Sequence, residues 1–352
     1  MKDKAIPIEM FLDRKLQTYI MGINSYADKI IEVCQNMNLN LKGIIDDFTD
    51  RIQYKDYPIY KTEDVSRESV IISCVIDGRL VAAMSKLEES KFRYILNYFH
   101  LVLFDESLFP HPRYCLENRS DILANIDKYR WLDKTLADEK SRYALEKIVD
   151  FRFNYNIDAM RSFTFDLDKQ YFDEEIIIWG DKEVFVDCGG FDGGTTKSFI
   201  KHNPGYSQVY YFEPSPAEFA LSRRELGKFP RVDFHNCAIY KTNTVLRFDS
   251  SKGSASSLSY DGTVEVPTVR LDDVITDRVT MIKMDIEGAE YESLEGATRI
   301  IKEHRPKLAI CVYHSQKDFW RIPERVLGIR NDYRVYLRHY TEGILETVMY
   351  FV

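Results

Sequence analysis

Two short stretches of this 352-residue chain carry residue types that do chemistry. The first is Val184-Phe-Val-Asp187-Cys-Gly189-Gly190-Phe191-Asp-Gly193-Gly194. An apolar run rich in β-formers leads into four glycines, so a buried strand should end in a tight turn that lets backbone approach a ligand. Thr195 and Thr196 then open a helix, whose N-terminus completes a site for a nucleotide-like group. The spacing is Asp-x-Gly-x-x-x-Gly and not the dinucleotide Gly-x-Gly-x-x-Gly. An acid two positions before the first glycine would repel a pyrophosphate and suits a cationic ligand, which points to S-adenosylmethionine with its sulfonium and ammonium groups. The second stretch is Ile282-Lys283-Met-Asp285-Ile-Glu287-Gly-Ala-Glu290. Charges at 283, 285 and 287 alternate, so they point to one side where the chain is extended. Burying a lysine between two carboxylates costs several kcal/mol unless all are paired, so such a cluster at a strand end is better explained by function than by stability. The structural alternative is an ion pair under the next helix, with Lys283 paired to Glu287.

Positioning these stretches requires a regular alternation of strands and helices, which the C-terminal half has. After the strand ending at Asp187 and a helix that stops before Pro204, Val209-Tyr-Tyr-Phe212 reads as a strand ending in Glu213-Pro214. Glu213 lies 24 positions after Gly189 (213 − 189), the separation at which an acid takes both hydroxyls of a ribose. Pro214 cannot extend the ladder, so the carboxylate is held at the strand's edge. A further strand, Val232–His235, leads to Asn236-Cys237-Ala238, where adenine would lie. Such units predict a parallel sheet with helices on both faces and ligands beyond the carboxyl ends of its strands. Between this strand and Asp272, Gly253-Ser-Ala-Ser-Ser257 reads either as a lid over the cleft or as a plain surface loop.

The N-terminal half shows a second β-α-β unit. Leu16–Met21 reads as a strand, Gly22-Ile-Asn-Ser25 as a turn, Tyr26–Met37 as an amphipathic helix and Leu41–Ile45 as a strand ending in Asp46-Asp47. Asp46 follows Gly22 by 24 positions (46 − 22), again near a ribose-binding separation. Apolar strands are also expected at Val70–Val75 and Leu101–Phe104. From about Ser120 to Asn154 the pattern turns helical, with Leu132, Leu136, Tyr143, Ile148 and Phe151 on one face and Asp138-Glu139 ahead of the stretch Ser141–Phe153. The expected organisation is a Rossmann-like domain over 1–112, a helical connector over 113–171 and a second domain over 172–352.

Composition narrows the classes. Hydrophobic residues make up 45% and charged residues 30%, which supports sizeable cores, and a net charge of -8 argues against a binder that needs a basic face for nucleic acid. The six cysteines contain no Cys-x-x-Cys pair, so reduced core thiols are expected rather than a zinc site. The first residues lack the apolar segment of a signal peptide and no run reaches a membrane-spanning length, so a soluble, cytoplasmic protein is expected.

Residues 172–352 resemble the FkbM family of S-adenosylmethionine-dependent methyltransferases. The likeness rests on Glu183-Val-Phe-Val-Asp-Cys-Gly-Gly-Phe-Asp-Gly193, Phe212-Glu-Pro214, Asn236-Cys-Ala238, Val269-Arg-Leu-Asp272 and Ile282-Lys-Met-Asp-Ile-Glu-Gly-Ala-Glu290. It implies an α/β fold whose C-terminal domain is a class I methyltransferase sheet ending in an antiparallel hairpin, here Tyr333–Arg338 and Glu346–Val352. It implies O-methylation of a hydroxyl on a sugar or a related metabolite, with Asp187, Gly189, Gly190, Phe191, Gly193, Glu213, Pro214, Asn236, Cys237, Ala238 and Asp285 around the cofactor. The N-terminal segment resembles the nucleotide-binding domain of bacterial sugar O- and N-acyltransferases, through Tyr19-Ile-Met-Gly22, Gly43-Ile-Ile-Asp46-Asp47 and Tyr57-Pro-Ile59. A nucleotide or nucleotide-sugar at Gly22 and Asp46 is one expectation there, and a scaffold without ligand is the other.

Methyl transfer needs alignment and a place for the acceptor's proton. His314, after the apolar strand Leu308–Tyr313, is the first candidate base because an ordinary imidazole titrates near neutrality. A strand-end histidine bonded to backbone is its structural alternative. Asp285 is a second candidate, Lys283 and Glu287 complete the catalytic set, and His339 is a weaker one. Asp272, Asp285 and Glu287 could hold a divalent metal, but nothing in their spacing demands it and none is expected. A nicotinamide-dependent oxidoreductase and a catalytically silent binding protein remain as other readings.

Overall fold

The computed structural model describes residues 5–249, 257–258 and 264–352. Its chain packs as two units. The first comprises Met1–Arg119, Lys147–Phe165 and Tyr340–Leu345, and the second Ser120–Glu146, Asp166–His339 and Glu346–Val352. The helices expected as one connector are therefore divided between the units. Tyr143, expected on their apolar face, is instead exposed.

In the first unit, α1 (Ala5–Leu12) precedes β1 (Thr18–Met21), α2 (Ser25–Asn36), β2 (Leu41–Ile45), β3 (Gln53–Tyr54), β4 (Tyr57–Tyr60), β5 (Val70–Ser73), α3 (Leu80–Glu89), β6 (Tyr94–Asn97) and α4 (Tyr98–Phe104). The sheet order is β3-β4-β2-β1-β5-β6, parallel except for the β3–β4 pair. Ile20, Ile30, Ile44, Ile72, Leu96 and Phe99 close its core. The expected strand Leu101–Phe104 is helical. Asn97 forms a capping box with His100, each side chain taking the other's backbone N–H, and this local signal outweighs the β-forming residues that follow.

Four helices follow: α5 (Asn118–Ala124), α6 (Ile126–Thr135), α7 (Glu139–Asn154) and α8 (Ile157–Met160). Asp138 accepts the Ser141 N–H and so caps α7 at the end where the dipole favours a carboxylate.

The second unit continues with β7 (Val184–Cys188), α9 (Gly194–His202), β8 (Gln208–Phe212), α10 (Pro216–Leu226), β9 (Val232–His235), β10 (Ala238–Ile239), β11 (Thr244–Asp249), β12 (Ser257–Leu258) and β13 (Val264–Val269). It ends with α11 (Leu271–Val274), β14 (Met281–Met284), α12 (Glu290–Glu295), α13 (Thr298–His304), β15 (Lys307–Cys311), α14 (Asp318–Ile329), β16 (Val335–His339) and β17 (Thr347–Phe351). Strands β10-β13-β11-β12 make a small sheet, and the large one runs β16-β17-β15-β14-β7-β8-β9. Its first five strands in sequence are parallel, while β17 runs antiparallel to both β15 and β16. Every residue of β7 and of β14 is buried, as expected of central parallel strands covered on both faces. Phe185 stacks on Phe199 at 4.4 Å, and each buried ring contributes roughly 2 kcal/mol through lost water contact.

The chain winds outward from β7 through β8 and β9, then returns to β14 on the other side and continues to β15. Right-handed crossovers put the helices of the two directions on opposite faces. A crevice therefore opens between the carboxyl ends of β7 and β14, where the order reverses. The loop segment Gly253–Ser256 lies outside the described residues.

Candidate functional site

The register of β7 and β14 sets Lys283 beside Asp187. Their side chains are almost wholly buried, with Nζ 3.2 Å from Oδ1. Thr196 donates to the other Asp187 oxygen at 2.7 Å, and the lysine also donates to the carbonyls of Cys188 (3.3 Å) and Gly189 (2.5 Å). Burial alone would lower the lysine's affinity for its proton, but Asp187 and Asp285 overcome this and hold it above its ordinary range. The alternative in which Lys283 pairs with Glu287 is thus replaced by a pair with Asp187. Strand β14 ends at Met284, and the chain then turns through Glu287 (φ 59°) and Gly288, so the three charges do not share one extended face. Asp187 faces Thr196 of α9 and Lys283 inside the sheet, and Lys283 in turn binds the carbonyls of Cys188 and Gly189.

That loop is shaped by close approaches. Gly189 has φ +77°, and a Cβ there would stand 1.9 Å from the Asp285 carbonyl oxygen. A Cβ on Gly190 would stand 2.0 Å from the Tyr211 ring. Phe191 is exposed, and its backbone is fixed from both sides: its N–H donates to Glu213 Oε2 at 2.8 Å and its carbonyl accepts from the Tyr211 hydroxyl at 2.7 Å. Glu213 Oε1 accepts the Ser215 N–H at 2.7 Å. Burial raises the Glu213 carboxyl's proton affinity, against the pull of these two N–H groups. Each oxygen keeps a second lone pair for a hydroxyl donor. Ser215 caps α10, and Pro214 lies between it and Glu213, away from any ladder. Asn236 Nδ2 donates to the carbonyls of Glu213 (2.8 Å) and Pro214 (3.2 Å), linking the end of β9 to the end of β8, while Cys237 and Ala238 are buried beside it. Gly193 sits at the N-terminal boundary of α9.

Across the crevice Asp285 accepts from the Tyr171 hydroxyl at 2.7 Å. Its other oxygen lies 3.5 Å from the Tyr313 hydroxyl and 3.4 Å from His314 Nε2. Burial would raise the Asp285 carboxyl, but Lys283, His314 and the Tyr171 bond bring it below its ordinary value. His314 is completely buried in its side chain, with Nδ1 2.9 Å from Glu290 Oε1 and Nε2 3.6 Å from Glu287. Burial favours the neutral ring, yet Glu290, Asp285 and Glu287 together push its pKa up to about 10. The expectation of a histidine titrating near neutrality is therefore corrected: three carboxylates hold it as an imidazolium, which has no lone pair to accept a proton. Glu290 is buried and also takes the N–H groups of Ile286 (2.9 Å) and Gly288 (3.0 Å), so it ties the turn to the histidine.

Three residues outside the two motifs complete this cluster. Tyr171 supplies the hydroxyl on Asp285, and Gln170 donates to both the Tyr171 hydroxyl (3.0 Å) and Glu346. Glu346, just before β17, has an oxygen within 4.8 Å of both an Asp285 oxygen and the Cys311 sulfur. Burial and the Asp285 charge push its pKa up to about 7. Only Glu290 had a signal in the sequence, as the last acid of its motif. Gln170, Tyr171 and Glu346 reach the site through sheet order alone.

Two donor sets among the described residues stand close enough to share a cation: Asp285 with Glu287 and His314, and Asp285 with Cys311 and Glu346. Asp272 belongs to neither. Its carboxylate accepts the N–H groups of Arg299 and Ile300 and caps α13. His339 is buried on β16 and bonded to Thr347 at 2.8 Å. In the first unit Gly22 follows β1 at that sheet's own reversal point, where Asn24 bridges to the Cys74 carbonyl at 2.8 Å. Asp46 accepts the N–H groups of Phe48 and Thr49 and so closes its own turn. All six cysteines are buried and free, and among the described residues no helix is long and apolar enough to cross a membrane.

The sequence model of the Methyltransferase FkbM domain matches residues 187–342. The 2-O-methyltransferase NoeI of Sinorhizobium fredii (strain NBRC 101917 / NGR234) is 26% identical over 35% of this chain and 60% of its own length. Methyltransferase 1 of Beauveria bassiana (strain ARSEF 2860) is 27% identical over 37% of this chain and 63% of its own. The chain thus spans under two thirds of the length of either curated relative. A crystal structure of methyltransferase FkbM from Methylobacillus flagellatus KT shares the fold, with a TM-score of 0.76 at 24% identity, covering 98% of this chain and 93% of that one. Residues 187–342 accordingly match a methyltransferase FkbM domain.

Proposed function

We propose that this chain, built around a methyltransferase FkbM domain, is an O-methyltransferase that transfers the methyl group of S-adenosylmethionine to a hydroxyl of a sugar, a nucleotide-sugar or a glycan precursor. The carrying observation is the glycine loop at the end of β7, beside the β7–β14 point where strand order reverses, with its Phe191 N–H held by Glu213 from the end of β8. The residues suit the cofactor. Glycines clear the backbone, Glu213 keeps acceptor capacity for ribose hydroxyls, and an acidic crevice favours a cation. Asn236, Cys237 and Ala238 would flank the adenine, and exposed Phe191 offers a ring face beside the ribose.

Bound S-adenosylmethionine supplies a methyl group on a good leaving group. The chain's own part is to align and to exclude water, which can contribute about 7–11 kcal/mol where the geometry is close to that of attack. Lys283 and Asp187 stiffen the loop floor, while Asp285 and Tyr171 form the wall opposite Glu213. Transfer to an oxygen is supported by the name of the NoeI relative, a 2-O-methyltransferase. We further propose that residues 1–112 hold a nucleotide or nucleotide-sugar near Gly22 and Asp46.

Calorimetry with S-adenosylmethionine, S-adenosylhomocysteine and NAD tests the cofactor assignment, and transfer of labelled methyl to a panel of nucleotide-sugars and glycosides tests the acceptor. Binding of NAD in place of both adenosyl compounds would overturn the proposal. For the N-terminal site, Asp46→Ala should weaken nucleotide-sugar binding, and unchanged affinity would remove it.

A further inference from the structure

A methyl acceptor hydroxyl must lose its proton, and most acidic or basic groups of the crevice are already committed. His314 and Lys283 carry protons and face carboxylates. Asp285 is engaged by Tyr171 and faces His314, Glu287 faces the same imidazolium, and Glu290 is taken up by two backbone N–H groups and the histidine. Glu213 holds the glycine loop, and Asp187 is taken up by Thr196 and Lys283. Glu346 differs from all of them. Its described hydrogen bond comes from a neutral amide, Gln170, and the charge that acts on it most strongly is another carboxylate, Asp285, with a weaker opposing pull from the His314 imidazolium. Two carboxylates this close do not ionise equally: Asp285 has both Lys283 and His314 beside it, whereas Glu346 has His314 alone and keeps its proton to higher pH. The place also suits a base. Val312 donates its N–H to the Thr347 carbonyl, so Glu346 stands beside Tyr313 and His314 at the carboxyl edge of the sheet. Tyr171, Glu287 and Glu346 all hold left-handed backbone (φ 70°, 59° and 69°), a strain that gathers at functional positions.

We propose that Glu346 is the general base of the reaction, an inference that rests on the methyltransferase reading above. As the oxygen–methyl bond forms, the methyl–sulfur bond breaks with its electron pair left on sulfur. The acceptor's O–H bond breaks and its proton passes to the Glu346 carboxylate, then to solvent. Asp285, held ionised by Lys283, Tyr171 and His314, is a positioning residue for this pair. The groups facing Glu346 are Asp285, Glu287, His314, Cys311 and Gln170, with Tyr171 and Tyr313 next to them.

The test compares the full chain with Glu346→Gln. Infrared titration of both proteins without ligand should show a carboxylic acid band lost with a midpoint near 7 in the wild type and missing from the variant. Taking the difference removes Asp318, whose pKa is also about 7. S-adenosylmethionine should bind both proteins, and turnover with any hydroxyl that the wild type methylates should fall about 10²–10⁴-fold in the variant. The wild-type rate should drop as pH falls through about 7, where Glu346 takes up its proton, and the variant should lose that limb. No Glu346 band between about pH 6 and about pH 8, or full turnover by the variant, overturns the assignment. Failure of the wild type to bind S-adenosylmethionine overturns instead the reading on which it rests.

Discussion

Replacing His314 by glutamine should weaken the fold and also change how its stability responds to pH. The folded ring has a pKa of about 10 against 6.5 for an ordinary histidine. A raised pKa gives stability that is fully present below about 6.5 and is lost as pH rises through about 10. With about 1.36 kcal/mol per pKa unit, this histidine contributes about 4 kcal/mol at pH 7 and about 1 kcal/mol at pH 9.5. The wild type should therefore lose about 3 kcal/mol over that interval from this group. Glutamine fills a similar space but cannot carry the charge, leaving Glu290, Glu287 and Asp285 without their shared cation. Breaking a buried pair in this way costs about 3–5 kcal/mol. Urea unfolding at the two pH values, followed by tryptophan fluorescence, measures both effects. Trp131, Trp179 and Trp320 all belong to the second unit, so the signal isolates the unit that holds the site. Other groups titrate over the same range, so the comparison is between slopes. Equal losses of stability in wild type and variant between pH 7 and pH 9.5 would refute the imidazolium.

Lys283→Met should destabilise the second unit by about 3–5 kcal/mol in the same assay, because Asp187 is left charged in the sheet interior. Adding Asp187→Asn should recover much of that loss, and no recovery would mean that the pair is not the source. Gly189→Ala should cost about 1–3 kcal/mol from the left-handed backbone alone, and the clash with the Asp285 carbonyl should abolish S-adenosylmethionine binding by calorimetry. Glu213→Gln should reduce that affinity roughly 10–100-fold by removing charge-assisted bonds, while the fold, measured by circular dichroism, stays intact. An unchanged affinity would take the ribose away from Glu213.

Much of the site was legible because its chemistry is local. The glycine loop, Glu213 and the acids from Asp285 to Glu290 sit within a few residues of strand ends, where continuous apolar runs and turn glycines mark the chain directly. Local signals also mislead where two of them compete, as at Leu101–Phe104. There β-forming residues suggest a strand, but the Asn97–His100 capping box starts a helix.

What the sequence determined by itself was the kind of site: a strand, a glycine turn and an acid at ribose spacing, with a second acidic motif to face them. Who pairs with whom was decided only by tertiary structure. Alternating charges at 283, 285 and 287 suggested one cluster, but strand register gives Lys283 to Asp187, and the turn after Met284 gives Asp285 and Glu287 to His314. The proton affinities follow from those pairings. A histidine carries no mark of its three carboxylate neighbours, and Glu346 carries none of its approach to Asp285, because both depend on residues brought together by the order of β14, β15 and β17. Electrostatic energy falls with distance in space and not with separation along the chain. The acid–base character of this site is therefore a property of the folded sheet.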